Sequence, residues 1–151
     1  MDLVYSIFDV ASYQVTVEEL EGFFQLIVSK LRVAGLVVID GWHYLGVKMD
    51  PPEVRERSFE LNGMRICRKV EPSSEDNFRT TSLQISLING DTGKVVASEV
   101  HTMRAFTKEE IFDVARKMGF RNIQFRDGRE WEKELSSSSW RFMMFAEYSM
   151  P

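Results

Sequence analysis

Leu3-Val4-Tyr5-Ser6-Ile7-Phe8, then Val17 to about Arg32, then Leu36-Val37-Val38-Ile39-Asp40: an apolar run, an amphipathic segment and a second apolar run decide the fold. Neither apolar run alternates with polar residues, which is the pattern of strands covered on both faces. The segment between them is helical in period. Leu20, Phe23, Phe24, Ile27, Val28 and Leu31 recur every three or four residues, and Glu18, Glu21, Gln25, Ser29 and Lys30 fill the other side. Thr16 and Glu19 are spaced as a capping box, in which each side chain satisfies an amide left open at a helix start. Gly35 is placed to stop the helix in the left-handed conformation. Strand, helix and strand in this order predict a parallel βαβ unit.

Working outward, Asp40-Gly41-Trp42-His43-Tyr44 ends the second strand, and Phe8, Asp9 and Tyr13 end the first. Ligands of open α/β sheets bind beyond such carboxyl ends. Asp50-Pro51-Pro52 reads as a loop. From 54 to 106 the pattern turns antiparallel: Asn62-Gly63 signals a hairpin between Arg57–Leu61 and Met64–Val70. Pro72 to Asn77 reads as a polar loop, and Leu83, Ile85 and Leu87 alternate with Ser82, Gln84 and Ser86. Gly90-Asp91-Thr92-Gly93 joins this strand to Lys94–Arg104; it opens no helix, so it is a hairpin turn and not a phosphate loop. Thr107 and Glu110 form a second capping box, and Ile111, Phe112, Ala115 and Met118 give the face of a helix that Gly119 stops. Phe120–Phe125 is a strand turned by Asp127-Gly128. Residues 131–139, with serines at 136–139, are a loop expected to be mobile, and Trp140 to Tyr148 is apolar on both sides, as a strand inside a sheet is.

The expected fold is α/β (α+β by content): one domain over 1–151, with a sheet and helix core at 2–44 and 107–149 and an antiparallel lid at 54–106. A net charge of −4 leaves no basic field for nucleic acid. No run approaches the roughly 18 apolar residues that suggest a membrane span. The start, MDLVYSIF, lacks a signal peptide's basic flank, and Cys67 is the single cysteine, which excludes an internal disulfide. A cytoplasmic protein is the expectation.

Three blocks together resemble the C-terminal half of a class I S-adenosylmethionine-dependent methyltransferase of the small-molecule N-methyltransferase type. The first is Asp2 through Phe8, the capped helix, and Leu31-Arg32-Val33-Ala34-Gly35-Leu36 into Asp40. The second is Glu99-Val100-His101-Thr102-Met103-Arg104-Ala105-Phe106-Thr107-Lys108-Glu109-Glu110-Ile111, ending at Gly119-Phe120. The third is Ser139-Trp140 leading into the final strand. The resemblance implies a partial Rossmann-like sheet with two main helices and a β lid. That family holds its cofactor on a glycine-rich turn after the first strand and an acid ending the second; no such turn occurs in these residues. No cofactor is therefore expected for this chain alone, and S-adenosylmethionine only if a partner chain completes it.

The resemblance also implies substrate contacts. Asp9, at the end of the strand facing the transferred methyl, is a substrate contact or a turn carboxylate. Asp40, Trp42 and His43 fall on the substrate wall. His43 is the one candidate catalytic residue, as a proton acceptor from an amine, with plain packing the other reading. Tyr13 ends the first strand beside Asp9. Glu99, His101 and Met103 share one face of an extended stretch, and Glu99 with His101 is too small a set for a metal site. Arg104 either binds a substrate carboxylate or bridges the lid to Glu109 or Asp113. Cys67, between Arg65 and Arg68, is a structural thiol or one of lowered pKa. Met143, Met144 and Met150 read as core or interface filling.

If no sheet lies upstream, the strand Leu3–Phe8 is an unpaired edge, and a homodimer through that edge is the expected cover. The function expected is a methyltransferase-like domain, not catalytic on its own, with a small molecule in its substrate-side cleft. The alternatives are a methyltransferase completed in trans by a partner chain and a protein-interaction module.

Overall fold

A computed structural model describes residues 1–149. The core sheet holds β1 (Leu3–Ser6), β2 (Leu36–Trp42), β7 (Phe120–Asp127) and β8 (Arg141–Tyr148), in the order β1-β2-β8-β7. β1 and β2 are parallel, with Leu3 opposite Leu36 and Ser6 opposite Ile39, and α1 (Val17–Val28) crosses between them. β8 lies antiparallel between β2 and β7, which explains why its sequence is apolar on both sides.

α1 opens with the Thr16–Glu19 capping box and α3 (Lys108–Lys117) with the Thr107–Glu110 box. Both pack on the same face of the core sheet. Leu20, Phe24 and Ile27 meet Ile111, Val114 and Ala115 over Val37, Ile39, Phe142 and Met144, and all of these are buried. The apolar surface removed from water here is the main stabilising term, at roughly 25 cal/mol per Å².

The second sheet is the lid: β3 (Arg55–Leu61), β4 (Met64–Glu75), β5 (Thr80–Asn89) and β6 (Val95–Arg104), antiparallel in chain order. Its root is fixed to the core by backbone hydrogen bonds from Phe106 N–H to Trp42 O (2.9 Å) and from Tyr44 N–H to Phe106 O (2.9 Å), while Ala105 N–H to Arg79 O (2.8 Å) ties the ends of β6 and β5 together there.

Several expectations need correction. α1 ends at Val28 and not near Arg32, and the left-handed residue is Ala34 (φ 62°) instead of Gly35. Gly35 is required for another reason: a Cβ there would lie 2.8 Å from the Arg32 carbonyl oxygen. β4 continues through Pro72 to Glu75, because its partner β5 runs equally far back; the turn shrinks to Asp76, Asn77 and Phe78, all at positive φ. On α3 the buried position is Val114, whereas Phe112 faces outward. A short helix, α2 (Tyr44–Met49), follows β2 where no helix was read; its six residues are too few for a periodic signal. β1 and β2 are not covered on both faces. Leu3, Tyr5 and Leu36 stand open on the face away from the helices. Among the described residues no helix is long and apolar enough to cross a membrane. Met150 lies outside them.

Candidate functional site

A cleft of about 660 Å³ opens where the lid faces the carboxyl ends of β1 and β2. The chain makes its core wall with a turn that residues of this kind rarely adopt. Phe8 (φ 70°) and Asp9 (φ 64°) are consecutive non-glycine residues in the left-handed region, a conformation that costs about 1–2 kcal/mol each. The Asp40 carboxylate holds the turn: Phe8 N–H donates to its Oδ2 (3.1 Å) and Asp9 N–H to its Oδ1 (2.8 Å). The short 3₁₀ turn Val10–Tyr13 follows, fixed by Trp42 N–H donating to Ser12 Oγ (2.7 Å).

This turn carries the Asp9 carboxylate to Arg141, whose Nη2 donates to Oδ2 at 2.5 Å. Asp9 is buried, and its Oδ1 and the Arg141 Nε have no hydrogen-bond partner among the described residues. Burial pushes the Asp9 carboxyl above its ordinary range, the Arg141 guanidinium opposes that, and the Asp40 charge adds to it. Trp42 and Trp140 meet edge to face beside the pair, ring centres 4.8 Å apart, and the Arg129 guanidinium lies 5.6 Å from the Trp140 ring centre.

From the lid, β6 points Glu99, His101 and Met103 inward on alternate residues. Tyr13 Oη lies 2.5 Å from His101 Nδ1, and His101 Nε2 lies 3.0 Å from Glu99 Oε1. An ionised carboxylate only accepts, so Nε2 carries the hydrogen and Nδ1 accepts from the Tyr13 hydroxyl. The Tyr13 oxygen, its own hydrogen committed to His101, faces the cleft as an acceptor. Core and lid are joined across the cleft by this chain.

The candidates read from sequence separate into two groups. Asp9, Tyr13, Trp42 and His101 line the cleft. Asp40 sits behind it as the clamp of the Phe8–Asp9 turn. His43 is elsewhere: it is buried at the start of α2, its Nδ1–H donates to Ser139 O (2.9 Å), and it borders a separate hollow with Lys108 and Ser136. Burial lowers its pKa. Arg104 takes the bridging role, but to Glu110, at 2.9 Å, with Val15 O accepting from its Nη1 (3.0 Å). Arg79 donates to the same Glu110 carboxylate. Burial opposes the Glu110 charge, yet the Thr107 amide and the two guanidiniums outweigh it and hold the carboxyl below its usual range. Cys67 is half-buried on β4.

Arg141 and Trp140 are among the cleft residues that sequence reading missed. A signal existed for the first: an arginine entering a strand flanked on both sides needs a carboxylate, and Asp9 ends a strand two places away in the sheet.

The glycines of the core are packed, and two of those with open space lie in lid turns. Gly41, ahead of α2, is closed off by the Phe142 ring (2.9 Å from an added Cβ) and Ser12, and Gly46 by the Ser139 backbone; Gly63 and Gly93, which have open space, turn lid hairpins. No glycine cradle remains at a helix start.

No protein-family model matches the chain, and no curated protein matches it. Solved structures do. An S-adenosylmethionine-dependent methyltransferase from Clostridium acetobutylicum aligns over 99% of this chain and 58% of its own, at 18% identity and a TM-score of 0.78. The sugar N-methyltransferase KedS8 from Streptoalloteichus sp. aligns over 99% and 56%, at 17% identity and 0.78. CalS10, an amino pentose methyltransferase from Micromonospora echinaspora, aligns over 99% and 58%, at 18% identity and 0.73. The chain thus spans less than three fifths of each. It has the mixed α/β fold of S-adenosylmethionine-dependent methyltransferases, over an extent that matches the C-terminal half of one.

Proposed function

We propose that this chain is the substrate-side part of a methyltransferase-like domain, which binds a small amine-bearing molecule between the core wall and the lid. The Tyr13–His101–Glu99 chain carries this reading. It presents an acceptor oxygen to a ligand N–H or O–H, and behind it an imidazole backed by a carboxylate. A proton released by the ligand's nitrogen passes to Tyr13 Oη as the tyrosine proton moves to His101 Nδ1. Glu99 then stabilises the imidazolium. Asp9 and Arg141 supply fixed charges of both signs nearby, and the two indoles give the cleft an apolar side. The names of KedS8 and CalS10, an N-methyltransferase of sugars and a methyltransferase of an amino pentose, agree with a ligand of this size and chemistry.

Because the glycine cradle is missing from these residues, the chain by itself is a binding domain and not a catalyst. Titration calorimetry with glucosamine, and with glucose as the amine-free control, tests this. Heat from glucosamine alone, lost in Tyr13→Phe, supports it; no heat from glucosamine, or equal heat from both sugars, refutes it. Binding of S-adenosylhomocysteine by the 151-residue chain alone would refute the claim about the cradle.

A further inference from the structure

Of the two histidines, the buried one takes no part in the cleft. His43 is 3% exposed, and its Nδ1–H donates to the Ser139 carbonyl. A carbonyl oxygen only accepts, so the neutral ring carries its hydrogen on Nδ1 and keeps a lone pair on Nε2. Nε2 has no hydrogen-bond partner among the described residues, yet it is not sealed from solvent. The ring borders a hollow of about 260 Å³ between the starts of α2 and α3 and the serine loop. An acceptor buried to this degree is costly without a donor, and the hollow is where a donor reaches it.

The α3 side of the hollow has the opposite need. The capping box occupies the amides of Thr107 and Glu110. Those of Lys108 and Glu109, the first two of the helix, have no acceptor among the described residues. They sit at the positive end of the helix dipole. The Lys108 and Glu109 side chains are exposed and line the same hollow, and Leu45 and Leu135 give it an apolar side. A plain anion suits the amides but meets the Nε2 lone pair and the Glu109 carboxylate. A plain cation suits those two but meets the amides and Lys108. A zwitterion suits both.

We propose that this hollow binds a small free α-amino acid with an apolar side chain, its carboxylate on the Lys108 and Glu109 amides and its ammonium donating to His43 Nε2. The ammonium nitrogen and carboxylate carbon of such a molecule are two bonds apart. Glu109 therefore meets one end with its amide and the other with its side chain, while the ligand's own side chain lies against Leu45 and Leu135. The volume falls below the roughly 300 Å³ at which pockets for drug-sized ligands begin, so the occupant is small. No residue lines both this hollow and the cleft, which makes it a second site, independent of what the cleft holds.

The protonation of His43 sets the condition for binding. Burial lowers its pKa, against the Ser139 hydrogen bond and the charges of Glu109 and Asp127; with Lys108, these are the charged groups around the ring. At neutral pH the lone pair is free to accept. The imidazolium instead turns an N–H toward the ammonium and repels it.

Titration calorimetry of the 151-residue protein with L-leucine tests the site. The controls are 4-methylpentanoate, which lacks the ammonium, 3-methylbutylamine, which lacks the carboxylate, and inorganic phosphate. L-leucine should bind, with each half-molecule weaker by roughly tenfold or more, the loss of one charge-assisted hydrogen bond. Its affinity should hold between pH 8 and 7 and fall on acidification in step with the titration of His43 followed by ¹⁵N NMR. Glu109→Gln, at an exposed position, should weaken it by a similar factor at an unchanged melting temperature. No heat from L-leucine would overturn the proposal. So would equal binding of 4-methylpentanoate or phosphate, the mark of a plain anion site, or an affinity that rises on acidification. Displacement of L-leucine by glucosamine would place it in the cleft and overturn the proposal as well.

Discussion

Asp40→Asn removes half of what holds the cleft wall in place. The carboxylate accepts from two successive amides, Phe8 N–H and Asp9 N–H, and both donors belong to residues at positive φ. An asparagine of the same shape keeps one acceptor oxygen but turns its NH₂ toward the other amide. One charge-assisted hydrogen bond is lost, worth roughly 1.5–3 kcal/mol, and a buried donor is left open. The turn then no longer offsets the left-handed strain of Phe8, about 1–2 kcal/mol. We expect a loss of about 3 kcal/mol, since relaxation of the turn recovers part of the sum. Urea unfolding followed by tryptophan fluorescence reads it directly, as a lower midpoint at unchanged slope. Because the turn aims Asp9 at Arg141, glucosamine binding should weaken as well. A change below about 0.5 kcal/mol, the size of an ordinary surface substitution, would show that the clamp does not hold the turn.

Gly46→Ala should be severe: the new methyl would lie 2.1 Å from the Ser139 carbonyl oxygen, which is backbone and cannot rotate away. A loss of about 3 kcal/mol by thermal unfolding is expected, and a wild-type melting curve would contradict it. Tyr13→Phe removes the hydroxyl that fixes Nδ1 as acceptor; ¹⁵N NMR, simple with two histidines, should find His101 as the Nε2–H tautomer in wild type and a mixture in the variant. His43 gives a pH signature. Its folded pKa lies below the ordinary 6.5, so the unfolded chain binds the proton more readily, and stability is lost as pH falls from 6.5 toward the folded value. In His43→Gln that slope should flatten, as measured by urea midpoints between pH 7 and 5; an unchanged slope would mean another group sets it. Glu110→Gln weakens the seam joining lid and core, and limited proteolysis should then cut the lid faster than in wild type.

Much of this architecture is legible in the sequence because local chemistry specified it. Two capping boxes placed the starts of both long helices to the residue, and Asn62-Gly63 placed the first lid hairpin. What escaped depends on pairing across distance. β4 reads as a loop at Pro72 until β5 is seen to reach back to Thr80. In the cleft, Asp9, Tyr13, Trp42 and His101 follow from their places on strand ends and on one face of β6, since alternation and the carboxyl-end rule are both local. His43 and Arg104 carry the same residue chemistry but meet Ser139 and Glu110, partners that no spacing announces. Arg141 escaped for the mirror reason, its carboxylate lying 132 residues away.

That separation has a consequence for how the protein comes into being. β8 leaves the ribosome after the seven other strands described here, yet it belongs in the middle of the sheet, between β2 and β7. Until it arrives, one whole side of β2 waits unpaired while residues 43 to 140 are made, and Asp9 is a carboxylate without its guanidinium. Non-local closure of this kind is slow, and apolar strands left open invite wrong pairing. The core wall of the cleft is therefore closed only when β8 takes its place between β2 and β7 and brings Arg141 to Asp9.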